Sequence, residues 1–216
     1  MIIVYNYNKL IIMISHIIEE INHTPSVFHY IPNFLNKEEE TELLEYLEKT
    51  EDFIESPKCN NGISRLQKWF HEDMKYFCSS WQERYPRWTS FKMDSTVIDT
   101  IKKFQYFAET LPNITVPRIN SCLINKYPNG NNFIAPHRDS EISFGMEPTI
   151  IGLSLGATRR INFHRLDKSN EDFSFELESG SVFIMAGSTQ RFYHHSIDKC
   201  ECDDVRYSLT FREFIG

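Results

Sequence analysis

Residues 206–212 read Arg-Tyr-Ser-Leu-Thr-Phe-Arg near the end of the 216-residue chain. Side chains on a β-strand alternate between its two faces. On such a strand the two arginines share one polar face with Ser208 and Thr210. The tyrosine, leucine and phenylalanine between them share the opposite, apolar face. The segment therefore predicts a strand that presents a binding face to a site and a packing face to the core.

A second segment, His137-Arg-Asp139, has the same alternation. On a strand His137 and Asp139 point to one side, and Arg138 points to the other. Two imidazoles and one carboxylate are the ligands that non-haem Fe(II) uses when other coordination positions must stay open. The third ligand must come from a distant segment, and His195 is the candidate. His194 is the alternative, because only one of two adjacent strand residues faces inward.

The arginines of residues 206–212 suit an acidic ligand beside such a metal. A guanidinium stays charged, and its planar fork can donate two hydrogen bonds to one carboxylate. Each charged hydrogen bond contributes about 1.5–3 kcal/mol of binding free energy. A dicarboxylate bound to the metal would use one arginine at its far end. Exposure at a strand edge is the alternative, since charged side chains are mostly exposed.

These segments together resemble the AlkB family of Fe(II)/2-oxoglutarate dioxygenases, which dealkylate nucleic acids. The similar stretches occur in family order from about residue 119 to the end of the chain. They are Leu123–Tyr127, His137–Glu141, Ile151–Thr158, Gly180–Met185, His195–Ile197 and Arg206–Arg212.

Short β-prone runs separated by turn residues follow Arg118, which predicts a double-sheet β architecture. The resemblance implies a double-stranded β-helix, or jelly roll, with the metal between the sheets at one open end. The fold class is therefore mainly β with flanking helices. The expected strands are 119–127, 133–139, 149–155, 159–164, 172–177, 181–186, 190–195 and 205–214.

Two helices are predicted before these strands. Asn36 is a suitable N-cap, with Glu39 at the capping-box position, for a helix that carries leucines on one face. A second helix is expected from about Ser95 to Ala108, where apolar residues recur at helical spacing.

One catalytic domain is expected, because 216 residues suffice for one sizeable core. We expect residues 1–30 to be an extension of uncertain order and residues 31–216 to be the domain. Within it, 31–118 would supply helical support and a nucleotide-recognition lid, and 119–216 the jelly-roll core.

The resemblance implies a role for each matching residue of the site. Fe(II) would be bound by His137, Asp139 and His195. 2-Oxoglutarate would chelate the metal and pair its distal carboxylate with Arg206, while Arg212 contacts its other end or the reacting group. Further residues implied to bind the cosubstrate are Asn125, Tyr127, Ser208 and Thr210. At Ser208 many family members have asparagine, so one amide contact is lost or replaced by a hydroxyl.

Four residues are implied to contact the substrate. Glu141 occupies the acidic position that reads the lesion, and a carboxylate attracts a base that N-methylation has made cationic. Ser64–Phe70 resembles the Pro-Arg-Leu-x-x-Trp-Tyr segment of the family's lid but lacks its proline. Arg65 and a stacking ring, Trp69 or Phe70, are therefore expected at the base. Lid or core packing is an equally good explanation of the two rings.

The implied reaction is dealkylation of N-alkylated bases in DNA or RNA with Fe(II), 2-oxoglutarate and O2. It releases an aldehyde, succinate and CO2 and amounts to direct-reversal repair. A protein side-chain hydroxylase or demethylase of the same superfamily is the alternative. A non-catalytic binding module is disfavoured, because no ligand or arginine is missing.

The formal net charge of −7 argues against a protein that coats nucleic acid nonspecifically. Residues 81–92 interleave basic and aromatic side chains, which suits either a base-stacking platform or an aromatic core segment.

Five dispersed cysteines do not form a disulfide framework and indicate a reducing compartment, cytoplasm or nucleus. The apolar first 13 residues are too short to span a bilayer, so we expect no membrane association. We also expect the protein to be a monomer.

Overall fold

The computed structural model describes residues 2–6, 9–55, 65–74, 89–167 and 172–216. Within these ranges the chain forms strands and four helices in the following order. The elements are β1 (Ile2–Asn6), β2 (Lys9–Ile18), β3 (Ser26–Ile31), α1 (Lys37–Lys49), β4 (Ile54–Glu55), β5 (Leu66–His71), α2 (Ser95–Ala108), β6 (Ser121–Tyr127), β7 (Ile134–His137), α3 (Glu141–Phe144), β8 (Ile150–Gly156), β9 (Arg159–Arg165), β10 (Phe173–Leu177), β11 (Ser181–Gly187), α4 (Thr189–Phe192), β12 (Tyr193–Ile197) and β13 (Arg206–Arg212).

Two sheets contain all of these strands. Among the described residues, nine strands form a major sheet in the order β1-β2-β3-β11-β8-β13-β6-β5-β4. Four form a minor sheet in the order β10-β9-β12-β7. Neighbouring strands are antiparallel in both sheets. The predicted double-sheet, mainly β architecture of a jelly roll is confirmed.

The central strand β13 separates two packing layers, as its alternation predicts. Tyr207, Leu209 and Phe211 are buried in the core that joins the major sheet to the helices. The side chains on the opposite face of β13 border a cavity between the two sheets: Arg206, Ser208, Thr210 and Arg212. A second apolar cluster, which includes Phe163 and Phe183, fills the remaining space between the sheets.

Helices α1 and α2 cover the outer face of the major sheet. The Asn36 side chain accepts from the Glu39 N–H, and the Glu39 carboxylate accepts from the Asn36 N–H, which forms the predicted capping box. Asp94 caps α2 by accepting from the Val97 N–H at 3.0 Å. The predicted helix from Ser95 to Ala108 is confirmed.

The structure differs from the expected element pattern in four places. Residues 1–30 were expected to form an extension of uncertain order, but they supply β1, β2 and most of β3. The lid-like segment after Arg65 forms β5 and pairs with β6 along its length. The strand expected at 133–139 ends at His137, before Asp139. The strand expected at 190–195 begins only at Tyr193, because the Ser188 carbonyl accepts from the N–H groups of Arg191 and Phe192 and closes the helical turn α4.

Candidate metal centre

The two histidines and the aspartate of the predicted ligand set converge at one end of the minor sheet. His137 ends β7 and lies directly opposite His195 of β12, with ring centroids 4.2 Å apart. Asp139 follows two residues beyond the end of β7. One ligand atom from each of the three residues lies within 4.8 Å of the others. His194 lies outside this group and pairs with His164 on the neighbouring strand, so the geometry favours His195.

The protonation states of these residues suit metal binding. Burial, with a smaller effect from His137, lowers the pKa of His195 to about 3. Burial also lowers the pKa of His137. Burial alone would raise the pKa of Asp139, but the charges of Arg212 and the two histidines outweigh it and lower that pKa. At neutral pH the group therefore consists of two neutral imidazoles and one carboxylate, the forms that bind a metal ion.

Two further contacts orient the ligand side chains. His137 Nδ1 lies 3.0 Å from the Ala135 carbonyl oxygen, to which it can donate, leaving Nε2 as the ligand atom. Arg212 Nη1 donates to Asp139 Oδ1 at 3.1 Å; the Arg212 side chain is buried and that of Asp139 is partly buried. The guanidinium of Arg212 also lies over the Phe144 ring, 4.5 Å from its centroid. Arg212 therefore holds the ligand carboxylate; its implied contact with the cosubstrate stays a prediction.

The cavity beside the ligand set has a volume of about 460 Å³, within the range of small-molecule sites. Apolar side chains such as Ile150, Phe183 and Met185 form much of its wall. The polar part of the wall includes every residue that the resemblance assigns to the cosubstrate. These residues are Asn125, Tyr127, Arg206, Ser208, Thr210 and Arg212.

Arg206 supplies a buried positive charge to this wall. Its side chain is 2% exposed, and Nε donates to Ser154 Oγ at 3.0 Å. The Nη1 atom is buried and has no hydrogen-bond partner among the described residues. Burial lowers the pKa of Arg206, and the Tyr127 ring lies 5.1 Å from the guanidinium carbon. A buried cation with an unpaired donor is unfavourable unless an anion binds it, so the residues present fit a dicarboxylate.

A polar network fixes the amide of Asn125 beside Arg206. Asn125 Oδ1 accepts from Arg65 Nε at 2.7 Å and from Gln67 Nε2 at 3.1 Å. Because a guanidinium can only donate, the atom that faces Arg65 must be the amide oxygen. The Nδ2 group of Asn125 is then left as a donor. Gln67, like Ser154, borders the cavity but has no distinctive motif, and only strand alternation could have indicated it.

The residues expected to contact the substrate are not brought together in the same way. Arg65 borders the cavity, whereas Trp69 and Phe70 do not and are only 4% and 3% exposed. Trp69 packs in a buried cluster with Leu123, Phe144 and Phe214. Phe70 packs in the core beneath the helices. The structure therefore places both rings in the core rather than on the cavity wall.

Two charged residues close in sequence to Asp139 differ in their relation to the cavity. Glu141 is exposed at the first position of α3 and does not border the cavity. Strand alternation directs Arg138 away from the metal ligands, yet Arg138 is exposed and borders the cavity, because β7 ends before it. Of the basic and aromatic residues expected to form a platform, 81–88 lie outside the described residues.

The described cysteines form no disulfide, and Cys59 and Cys78 lie outside the described residues. Among the residues that the structure covers, no helix is long and apolar enough to cross a membrane.

Residues 27–212 match a family model described as the 2OG-Fe(II) oxygenase superfamily. No protein in the curated set matches the sequence significantly.

Several solved structures share the fold. OsALKBH1 is 16% identical with a TM-score of 0.60, over 86% of this chain and 96% of that chain. A 2OG-Fe(II) oxygenase family oxidoreductase from Burkholderia pseudomallei is 12% identical with a TM-score of 0.60, over 86% and 85%. A prolyl hydroxylase from Trichoplax adhaerens, in complex with a hypoxia inducible factor peptide fragment, is 16% identical with a TM-score of 0.53, over 87% and 83%.

Proposed function

The chain belongs to the 2OG-Fe(II) oxygenase superfamily, and from this premise we propose that it dealkylates N-alkylated bases of DNA or RNA. Fe(II), 2-oxoglutarate and O2 are the cofactor and cosubstrates of the superfamily. One observation carries the oxygenase part of the proposal. The metal-ligand group and the unpaired donor of Arg206 border one cavity. The nucleic-acid part rests on the sequence resemblance, which includes Glu141.

When bound, iron and 2-oxoglutarate would supply the oxidising chemistry, in which one atom of O2 enters succinate as 2-oxoglutarate loses CO2 and the other atom is inserted into a C–H bond of the N-alkyl carbon. The hydroxylated carbon then separates from the base nitrogen as an aldehyde, which restores the base.

The residues of this chain bind and orient the reactants. His137, Asp139 and His195 would hold the iron, and Arg206 would pair with the distal carboxylate of 2-oxoglutarate. Arg212 keeps the Asp139 carboxylate ionised and oriented through their partly buried ion pair. Asn125 offers a donor whose orientation Arg65 fixes. The apolar walls of the cavity limit the access of water to these polar groups.

The substrate would approach at the exposed end of the cavity, near Glu141. Methylation of a ring nitrogen on the Watson–Crick edge gives a cationic base, which a carboxylate attracts. The reacting atom is inaccessible inside a duplex, so the base must be extruded or single-stranded. Arg138, exposed and on the cavity wall, can pair with a phosphate of the same strand.

Protein side-chain oxidation is the second candidate function. The net charge of −7 disfavours a polyanionic substrate. Ile142 and Met146, in and just after α3, are large exposed apolar residues that follow Asp139 closely in sequence. Exposed apolar surface of this kind suits an apolar segment of a polypeptide. The solved prolyl hydroxylase with a bound peptide shares the fold.

Product analysis separates the two candidates. The purified protein is incubated with Fe(II), 2-oxoglutarate and ascorbate, together with matched DNA or RNA oligonucleotides that do or do not carry a methylated base. We expect methyl-dependent release of both succinate and formaldehyde, and no release by the His137→Ala variant. Succinate without formaldehyde, unaffected by any oligonucleotide, would leave the oxygenase chemistry intact and favour a protein substrate.

A further inference from the structure

The backbone of Asp139 is held by a side chain from another segment. Asp139 lies beyond the last residue of β7, so the hydrogen bonds of the sheet do not fix it. Its N–H donates to Gln190 Oε1 at 2.9 Å. Gln190 is the second residue of α4, which leads directly into β12 and His195. One hydrogen bond thus joins the segment of the aspartate ligand to the segment of the distant histidine ligand.

The orientation of the Gln190 amide is determined by its surroundings. A backbone N–H can only donate, so the atom that faces Asp139 must be the amide oxygen. The Nε2 group then faces Met185 Sδ at 3.6 Å, a weak acceptor on β11. Gln190 is 7% exposed, so water does not compete freely for the bond to Asp139. Because both the oxygen and the nitrogen of this buried amide have partners, the Gln190 side chain is held in one orientation.

From this geometry we infer that Gln190 is a positioning residue for the metal centre. It sets the position of the Asp139 backbone relative to His195, and so sets the spacing of the ligand atoms before the metal binds. Arg212 orients the carboxylate of Asp139, whereas Gln190 fixes the main chain that carries it. Groups that orient metal ligands typically contribute about 10- to 100-fold in metal affinity.

Binding of Co(II) alone tests this inference without 2-oxoglutarate or any nucleic acid. Gln190→Leu removes the acceptor with little change in volume. We expect it to bind Co(II) about 10- to 100-fold more weakly, the usual contribution of a group that orients a ligand. The Co(II) visible absorption should also change, because the coordination geometry is altered. The metal-free protein should still unfold cooperatively, with the modest fall in melting temperature expected from one unpaired N–H group.

Two further variants separate positioning from packing. Thr189→Val is the matched control on the same helix, because the Thr189 hydroxyl is buried and has no hydrogen-bond partner among the described residues. It should bind Co(II) like the wild type. Gln190→Glu keeps an acceptor for the Asp139 N–H and should bind Co(II) more tightly than Gln190→Leu.

Gln190→Met, which also lacks the acceptor, replaces Gln190→Leu if that variant does not fold. Wild-type affinity and an unchanged spectrum in the folded Leu or Met variant would overturn the inference. Equal weakening in Thr189→Val would also overturn it, since the effect would then belong to the packing of α4. The measurement does not depend on the proposed substrate, so a failed dealkylation assay leaves it valid.

Discussion

The two ends of the cavity are built differently. The closed end consists of Asn125, Tyr127, Ser154, Arg206 and Ser208, which all lie within paired strands of the major sheet. The open end consists of Arg138 and Ser140, which follow β7 outside any strand, and Glu141 lies next to it at the first position of α3. Arg206 at the closed end is almost fully buried, whereas Arg138 and Glu141 are exposed.

This difference separates the part of the site that binds the cosubstrate from the part that selects the substrate. At the closed end the strand register places each polar group, and burial strengthens each charge interaction. At the open end the side chains face solvent, and the chain is held by a few bonds, such as the Ser140 cap on the Ser143 N–H. We therefore expect substitutions at the closed end to alter 2-oxoglutarate binding, and substitutions at the open end to alter substrate use alone.

The largest effect is expected at the closed end, for Arg206→Met. Loss of two charged hydrogen bonds to a carboxylate costs roughly 3–6 kcal/mol, which is about 10²–10⁴-fold in affinity. We expect calorimetry to show that loss for 2-oxoglutarate, with Co(II) binding retained. Without the cosubstrate the folded protein should change little in stability, because the variant removes a buried charge and its unpaired Nη1 donor along with the hydrogen bond from Nε to Ser154 Oγ. Unchanged 2-oxoglutarate affinity would contradict the assignment of the closed end.

Trp69→Ala tests whether Trp69 is a core residue or a substrate-contacting residue. Trp69 packs against the ring of Phe214, with centroids 5.2 Å apart, in a buried cluster. Truncation of a buried tryptophan costs about 3–5 kcal/mol of the free energy of unfolding. We expect denaturant unfolding to show this loss, with Trp69→Phe as a milder comparison. Full stability combined with weakened binding of a methylated oligonucleotide would instead place Trp69 at the substrate.

Ser208→Asn sharpens the description of the closed end, because it restores the amide found in many AlkB-family sequences. Ser208 lies opposite Asn125 in the β13–β6 register and borders the cavity. One added neutral hydrogen bond contributes about 0.5–1.5 kcal/mol, or roughly two- to tenfold in affinity. The KM for 2-oxoglutarate should fall by that factor while kcat changes little. A higher KM would mean that the amide does not fit.

Glu141→Gln should give the smallest effect, confined to the open end. An exposed charge pair contributes up to about 1 kcal/mol, so methyl-dependent formaldehyde release should fall by up to about fivefold. Turnover of 2-oxoglutarate without an oligonucleotide should not change. Glu213→Gln, an exchange near the C-terminal end of β13, is the control. A parallel loss in both reactions would remove the distinction between the two ends.

The closed end could be predicted from the sequence because strand alternation determines it. The positions of Arg206, Ser208 and Thr210 on one face of β13 follow from a period of two residues. Asn125 and Tyr127, which the resemblance implied, likewise lie two residues apart on β6 and both border the cavity. Capping chemistry likewise predicted the first residues of α1.

The open end could not be predicted in the same way, because its residues leave the strand. Alternation failed for Arg138, which lies beyond the end of β7. Alternation alone did not decide between His194 and His195; the resemblance implied His195, and the pairing of β12 with β7 favours it. Gln190 contacts Asp139 across 51 positions of sequence, and no local pattern indicates such a contact. The aromatic pair Trp69 and Phe70 suited either a lid or a core, and only the packing of β5 places it in the core.

One cavity is expected to hold both Fe(II), at His137, Asp139 and His195, and 2-oxoglutarate, at Arg206. The most direct test is an anaerobic titration of the purified protein with Fe(II) and 2-oxoglutarate, followed by visible absorption. We predict the weak charge-transfer band of an iron-chelated 2-oxo acid, absent in His137→Ala and formed in Arg206→Met only at far higher 2-oxoglutarate concentration. No band in the wild type, or the same band in His137→Ala, would contradict the account.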